Sequence, residues 1–126
     1  MTRRRNTERG QAAVEVALVL PLVVSLALVL LQVGLVVRDQ VLLVHATREA
    51  AREAAVDPES GAAERAGSAA TALRDDRLQV TVVERGPPGG TVTVELRYRS
   101  PTDLPLVGGL LGDVTLRARA TMRVER

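Results

Sequence analysis

The chain of 126 residues contains no cysteine, no tryptophan, no phenylalanine and no lysine. Without cysteine no disulfide can close the fold, whichever redox compartment holds it. Tyr98 is the one aromatic side chain, so there is no tryptophan and tyrosine belt to anchor a helix at a membrane interface. Every cation is an arginine. The formal net charge of +2 is close to balance and calls for no nucleic-acid partner. Residues with catalytic spacing are missing too. His45 is the only histidine and lies in a charged stretch. Asp75 and Asp76 are adjacent, flanked by Arg74 and Arg77, and neighbouring helical residues do not face each other. No cluster of metal-ligand type, no glycine-rich phosphate loop and no Ser/His/Asp set stands out. The sequence therefore offers no catalytic, cofactor-binding or metal-binding residue, and a non-enzymatic role is expected.

A further absence organises the chain. From Val16 to Val37 there is no charged side chain, and about 20 apolar residues suffice to cross a ~30 Å hydrocarbon core as a helix. Ser25, Gln32 and Gly34 interrupt the run in ways a membrane helix tolerates. Pro21 removes one backbone hydrogen bond, to the carbonyl of Ala17, which predicts a bend there. Arg3, Arg4, Arg5 and Arg9 precede the run against a single Glu8, whereas Arg38 is followed at once by Asp39. The positive-inside rule then keeps the N-terminus cytoplasmic and exports the chain beyond Val37. A cleaved secretory signal fits poorly: the apolar run is too long, and no small-x-small site precedes a polar start.

At the mouth of the run stands Glu15, five positions after Gly10. A carboxylate there is costly, since a charge at the bilayer centre costs about 2.5–3.5 kcal/mol and less towards the interface. Leu or Val would insert more easily, so Glu15 needs a use. The stretch from Glu8 through Gly10, Gln11, Ala12, Ala13, Val14 and Glu15 to Pro21 resembles the type IV prepilin signal and, more specifically, the TadE-like family of minor pseudopilins of tight-adherence pili. Ala46-Thr47-Arg48-Glu49-Ala50-Ala51-Arg52-Glu53-Ala54-Ala55 is similar to the family's segment after the membrane helix, with Thr47 and Ala50 where Ala and Gly are usual. Val16 replaces the family's common aromatic. The C-terminal stretch Ala118–Glu125 is similar more weakly. The resemblance implies cleavage by a prepilin peptidase between Gly10 and Gln11, with Gln11, Ala12 and Ala13 leaving the scissile region unobstructed. It also implies that Glu15 pairs with the new N-terminal amine of a neighbouring subunit.

The remaining pattern predicts an α+β fold of pilin-like order. Between Val36 and Ala55 there is neither Pro nor Gly, so the helix should run on to Val56. Leu43, Ala46, Ala50 and Ala54 should line one face, opposite His45, Arg48, Glu49, Arg52 and Glu53. Asp57-Pro58 should stop it. Ala62–Asp76 reads as a second helix with Ala63, Ala66, Ala70 and Leu73 on its apolar side. Period-two alternation then predicts three strands of an antiparallel sheet, beginning at Leu78, Val92 and Val114, with Gly86–Gly90 as a turn. The expected organisation is a basic cytoplasmic leader over 1–10 and a transmembrane helix over 11–37. Beyond them come a helical extension over 38–57 and a small exported domain over 58–126. Arg97, Arg99, Arg117, Arg119 and Arg123 should form a basic stripe on the sheet's outer face, solvated or facing an anionic polymer or another subunit. Leu104, Leu106, Val107, Leu110 and Leu111 offer a partner surface or fold back over the core.

These readings point to a single-pass membrane protein acting as a minor pseudopilin-like component. Its expected partners are the bilayer, a prepilin peptidase and other pilus subunits, and no cofactor is expected. The alternative is an uncleaved bitopic anchor or adaptor of an envelope complex.

Overall fold

The computed structural model describes residues 3–105 and 108–125, with the backbone alone for 3–9 and 111. The side chains of Arg3, Arg4, Arg5, Glu8 and Arg9, all of Leu106 and Val107, and the Leu111 side chain lie outside the described residues.

Helix α1 runs unbroken over Arg3–Val56 with Pro21 inside it, about 80 Å at 1.5 Å per residue. It ends where Asp57-Pro58 requires. The last carbonyls of a helix lack intrahelical donors, and here Arg85 supplies them from the sheet. Its guanidinium donates to the carbonyl of Ala54 and, at 3.1 Å, to that of Asp57. Along α1 the environment changes once. Residues from Gly10 to Leu31 are exposed apart from half-buried Leu28, and Gln32 is the first buried one. Val14 to Leu31 spans about 27 Å, close to the ~30 Å hydrocarbon core. This apolar helix is a single-pass membrane anchor.

The C-terminal half of α1 carries the core. Leu43, Ala46 and Ala50 are fully buried, with Ala54, Ala51, Ala55 and Thr47 beside them. His45, Arg48, Glu49, Arg52 and Glu53 are arrayed towards the other side, where Arg48, Glu49, Arg52 and Glu53 carry the charge. The alanine stripe lets neighbouring backbones approach closely. The Thr47 hydroxyl donates to the carbonyl of Leu43 at 2.6 Å, so no buried donor is orphaned. Glu49 and Arg52 form no ion pair among the described residues. Such an exposed pair adds only about 0.2–0.5 kcal/mol, too little to hold two long side chains.

Helix α2 covers Ala62–Ala69, shorter than the predicted 62–76. Beyond it the Thr71 hydroxyl accepts the backbone N–H of Leu73 at 3.2 Å, a local turn that competes with helix. The turn drops Leu73 into the core while Ala70 stays exposed. A 3-10 turn, Asp75–Arg77, leads into the sheet.

Strands β1 (Leu78–Arg85), β2 (Thr91–Ser100) and β3 (Val114–Arg123) form an antiparallel meander in the order β1-β2-β3, with a short helix α3 (Gly108–Leu111) before β3. The centre of β2 sits over α1 and α2, burying Val92, Val94, Leu96 and Tyr98. Leu96 pairs with Val80 on one side and Ala118 on the other. A register shift between Val82 and Glu84 bulges β1, and Val82, in register with buried Val94, is exposed at this sheet edge. In the Gly86–Gly90 turn, Gly89 adopts a positive φ of 83°, which glycine alone takes without strain. There its N–H donates to the Val124 carbonyl at 3.1 Å. Glu125 N–H donates to the carbonyl of Ala55 at 3.0 Å, tying the segment after β3 to the end of α1.

Candidate functional site

Two groups of residues lie outside the needs of this packing or at its membrane end. The first is the N-terminal end of the exposed helix, with Gly10, Gln11, Glu15 and Pro21. A Cβ at Gly10 would meet nothing within 4 Å, and its backbone is helical. Glycine inside a helix is destabilising by roughly 0.5–1 kcal/mol relative to alanine. The fold therefore gains nothing from glycine at this position. Gln11 and Glu15 are exposed. Among the described residues Glu15 has neither an ion pair nor a side-chain hydrogen bond. This carboxylate stands beside Val14 and Val16, each more than half exposed, with no partner among the described residues. Pro21 lies further along, and the Ser25 hydroxyl donates to its carbonyl at 2.7 Å, satisfying an acceptor that apolar surroundings would otherwise leave costly.

The second group forms a polar collar where the domain meets α1. Gln32 is 4% exposed, and its Nε2 donates to the Pro101 carbonyl at 3.5 Å and to Thr102 Oγ1 at 3.4 Å. The Thr102 hydroxyl in turn donates to the carbonyl of Gly112 at 2.6 Å. Two helical turns on, Asp39 is buried and its Oδ2 accepts the Ser100 hydroxyl at 2.7 Å. Gln32, Asp39, Leu43, Ala46 and Ala50 share one face of the helix at successive turns. In the sequence alone Gln32 reads as a tolerated interruption and Asp39 as a balancing charge. The signal that identifies them is this spacing, which continues the alanine stripe towards the membrane.

The arginines predicted as a stripe do share the sheet's outer face, with one acid among them. Glu95, side chain 8% exposed, receives Arg97 Nε at 2.6 Å and Arg119 Nε at 2.7 Å. The Arg97 hydrogen bond, then that of Arg119, holds its carboxyl below the ordinary glutamate value of 4.5, outweighing the opposing effect of burial. Arg97 lies opposite Arg117 across β2 and β3. Arg99 and Arg117 have no acidic partner among the described residues. Asp75 and Asp76 are not a carboxylate pair: Asp76 pairs with Arg74 at 3.1 Å on the surface. Among the described residues no three His, Cys, Asp or Glu side chains converge as metal ligands. What the arrangement provides is surfaces for other molecules.

Compared with known proteins, residues 10–52 match the model of the family described as TadE-like protein. The matched segment opens at Gly10, contains Glu15, Pro21 and both collar residues, and closes within the alanine stripe, before the sheet. No curated protein and no solved structure matches the chain.

Proposed function

We propose that this chain, TadE-like over residues 10–52, is a minor pseudopilin-like structural component of a tight-adherence pilus assembly machine. In this reading the N-terminus is cytoplasmic and the sheet domain extracytoplasmic. A membrane prepilin peptidase cuts after Gly10, so the protein is a substrate and carries no active site. Gln11 then becomes the first residue. Its amine pairs with Glu15 of an adjacent subunit, because two charges in an apolar filament core are tolerable only together.

The observation that carries the reading is the pair Gly10 and Glu15. Each has an intrinsic cost, to helix or to insertion, and neither is offset by a contact among the described residues. A requirement imposed from outside, by a peptidase at Gly10 and a neighbouring amine at Glu15, accounts for both. The test is Glu15→Val. Membrane insertion should be equal or better, and N-terminal sequencing should still show a start at Gln11. Co-purification with other pilus components should be lost. Normal piliation by Glu15→Val would remove the physical basis of the reading.

One observation favours the alternative, an uncleaved bitopic anchor of an envelope complex. Helix α1 continues through Gly10 from Arg3, so the scissile bond would have to be unwound before cutting. N-terminal sequencing of the membrane form discriminates: an intact leader selects the anchor, and a start at Gln11 selects the pseudopilin.

A further inference from the structure

The outer face of the sheet carries arginines along its whole length, with Arg123 at the end away from the membrane anchor. At the end away from the membrane anchor, the hydroxyls of Thr93 and Thr121 face each other at 2.9 Å. At the end nearest the anchor, a surface cleft of about 440 Å³ is lined by Arg77, Arg97, Arg99 and Arg117, with Thr115 and a single acid, Asp76. That Asp76 is already paired with Arg74. Arg97 is ion-paired with Glu95 at 2.6 Å, whereas Arg99 and Arg117 beside it have no acidic partner among the described residues and are open to an anionic counterpart outside the chain. Arg77 has a counterpart within the chain, its Nη1 lying 3.6 Å from Asp113 Oδ2.

The position of the cleft says what that counterpart is. Ser100, next to Arg99, is bonded to Asp39 of α1, and Thr102 is bonded to Gln32 two helical turns lower. Gln32 is where the exposed apolar helix gives way to the domain. Ser100 and Thr102, which open the β2–β3 connection, are thus held against α1 on either side of Val37, the end of the uncharged run, and the arginine cleft lies within about 10 Å of that end at 1.5 Å per helical residue. This is the depth of the polar headgroups, which widen a ~30 Å core to ~40–45 Å. On the same connection Leu110 is 87% exposed and Leu104 is half-buried. An apolar side chain projecting at this level enters the interface, and arginines above it reach phosphates, the arrangement of an interfacial anchor. A second copy packing through this same face would present the same positive sign and be repelled.

We propose that the membrane-proximal end of the sheet's outer face, with Arg97, Arg99 and Arg117, docks on anionic phospholipid headgroups while Leu110 enters the interface. This fixes the domain's tilt on the bilayer. It rests on α1 being a membrane span and is independent of leader cleavage.

The chain has no cysteine, so single-cysteine probes report unambiguously. Full-length Leu110→Cys, Thr91→Cys and Leu26→Cys proteins, each carrying a bimane, are placed in nanodiscs of phosphatidylcholine with or without phosphatidylglycerol. Nitroxide-labelled lipid and aqueous iodide serve as quenchers. Leu26 should be quenched by lipid throughout, Leu110 by lipid in the anionic discs, and Thr91, at the far end of β2, by iodide alone. Arg99→Gln and Arg117→Gln, both on the outer face, should each lower the docked-to-free ratio of the Leu110 probe about fivefold in anionic discs. Neither should change it in neutral ones, and high salt should mimic them. A Leu110 probe as open to iodide as Thr91, with Leu26 in lipid, overturns the docking and leaves the span intact. Loss of lipid quenching at Leu26 overturns the span itself. Protection of Leu110 from iodide without lipid quenching assigns the face to another protein copy and overturns the proposal.

Discussion

At the scale of single residues, the glycines show how one residue type serves opposite ends. Gly67 reads in the sequence as a helix weakener. In the structure it is a contact point: a Cβ there would lie 3.3 Å from the Ala50 Cβ and 3.4 Å from Val80 Cγ2. Gly67→Ala should be close to neutral, because a gain of about 0.5–1 kcal/mol in helix propensity offsets the crowding. Gly67→Leu should cost about 1–3 kcal/mol by overpacking, read as a lower Tm of the full chain in detergent. At Gly10 a Cβ meets nothing, so Gly10→Leu should leave Tm unchanged. Its expected effect is a block in processing when a cognate peptidase is co-expressed, seen as retention of the leader by N-terminal sequencing. Normal processing would count against a site shaped for glycine.

At the scale of elements, the sheet depends on Glu95. With Arg97 and Arg119 on its two oxygens, its carboxyl is held below 4.5 in the folded protein. A depressed folded value means that stability is present above the unfolded value and lost as pH falls through the folded one. Thermal unfolding measured from pH 6 to pH 3 should therefore show Tm falling below about pH 4.5. Glu95→Gln should be less stable than the native chain at pH 6 and lose less on acidification. Parallel pH profiles for the two proteins would show that Glu95 does not couple to folding. Helix α1 illustrates the reverse case: its end is legible at Asp57-Pro58, yet the arginine that caps it comes from β1 and carries no local signal.

At the scale of the whole molecule, one helix joins two environments and the polar collar marks the change. The flanking charges predict that everything beyond Arg38 is exported. Protease added to spheroplasts should then digest the sheet domain while a cytoplasmic marker survives. A protected domain, with an exported control cut, would reverse the orientation. Because Asp39 is buried against Ser100 and Gln32 against Thr102, the domain is clasped to the emerging helix, which makes the anchor and the sheet one body at the membrane surface.

Features that depend on neighbours along the chain are legible before the fold is known. The membrane-length apolar run, the stop at Asp57-Pro58, the alanine stripe from Leu43 to Ala54 and the strand alternation all arise from periodicity and charge within a few turns. The isolated Gly10 and Glu15 are legible for the same reason, since no other part of the described fold touches them. The rest is settled by contacts between distant parts of the chain. Gln32 with Thr102, Asp39 with Ser100, Glu95 with Arg119 and Gly67 against Ala50 are pairs brought together by the β meander folding back on α1. Such pairs are set by the register of the sheet and the close approach of backbones, and no local pattern encodes either. The same register sets the bulge beside Val82, which is paired with Val94 yet exposed at the sheet edge. The early end of α2 is local, the Thr71 hydroxyl accepting the N–H of Leu73.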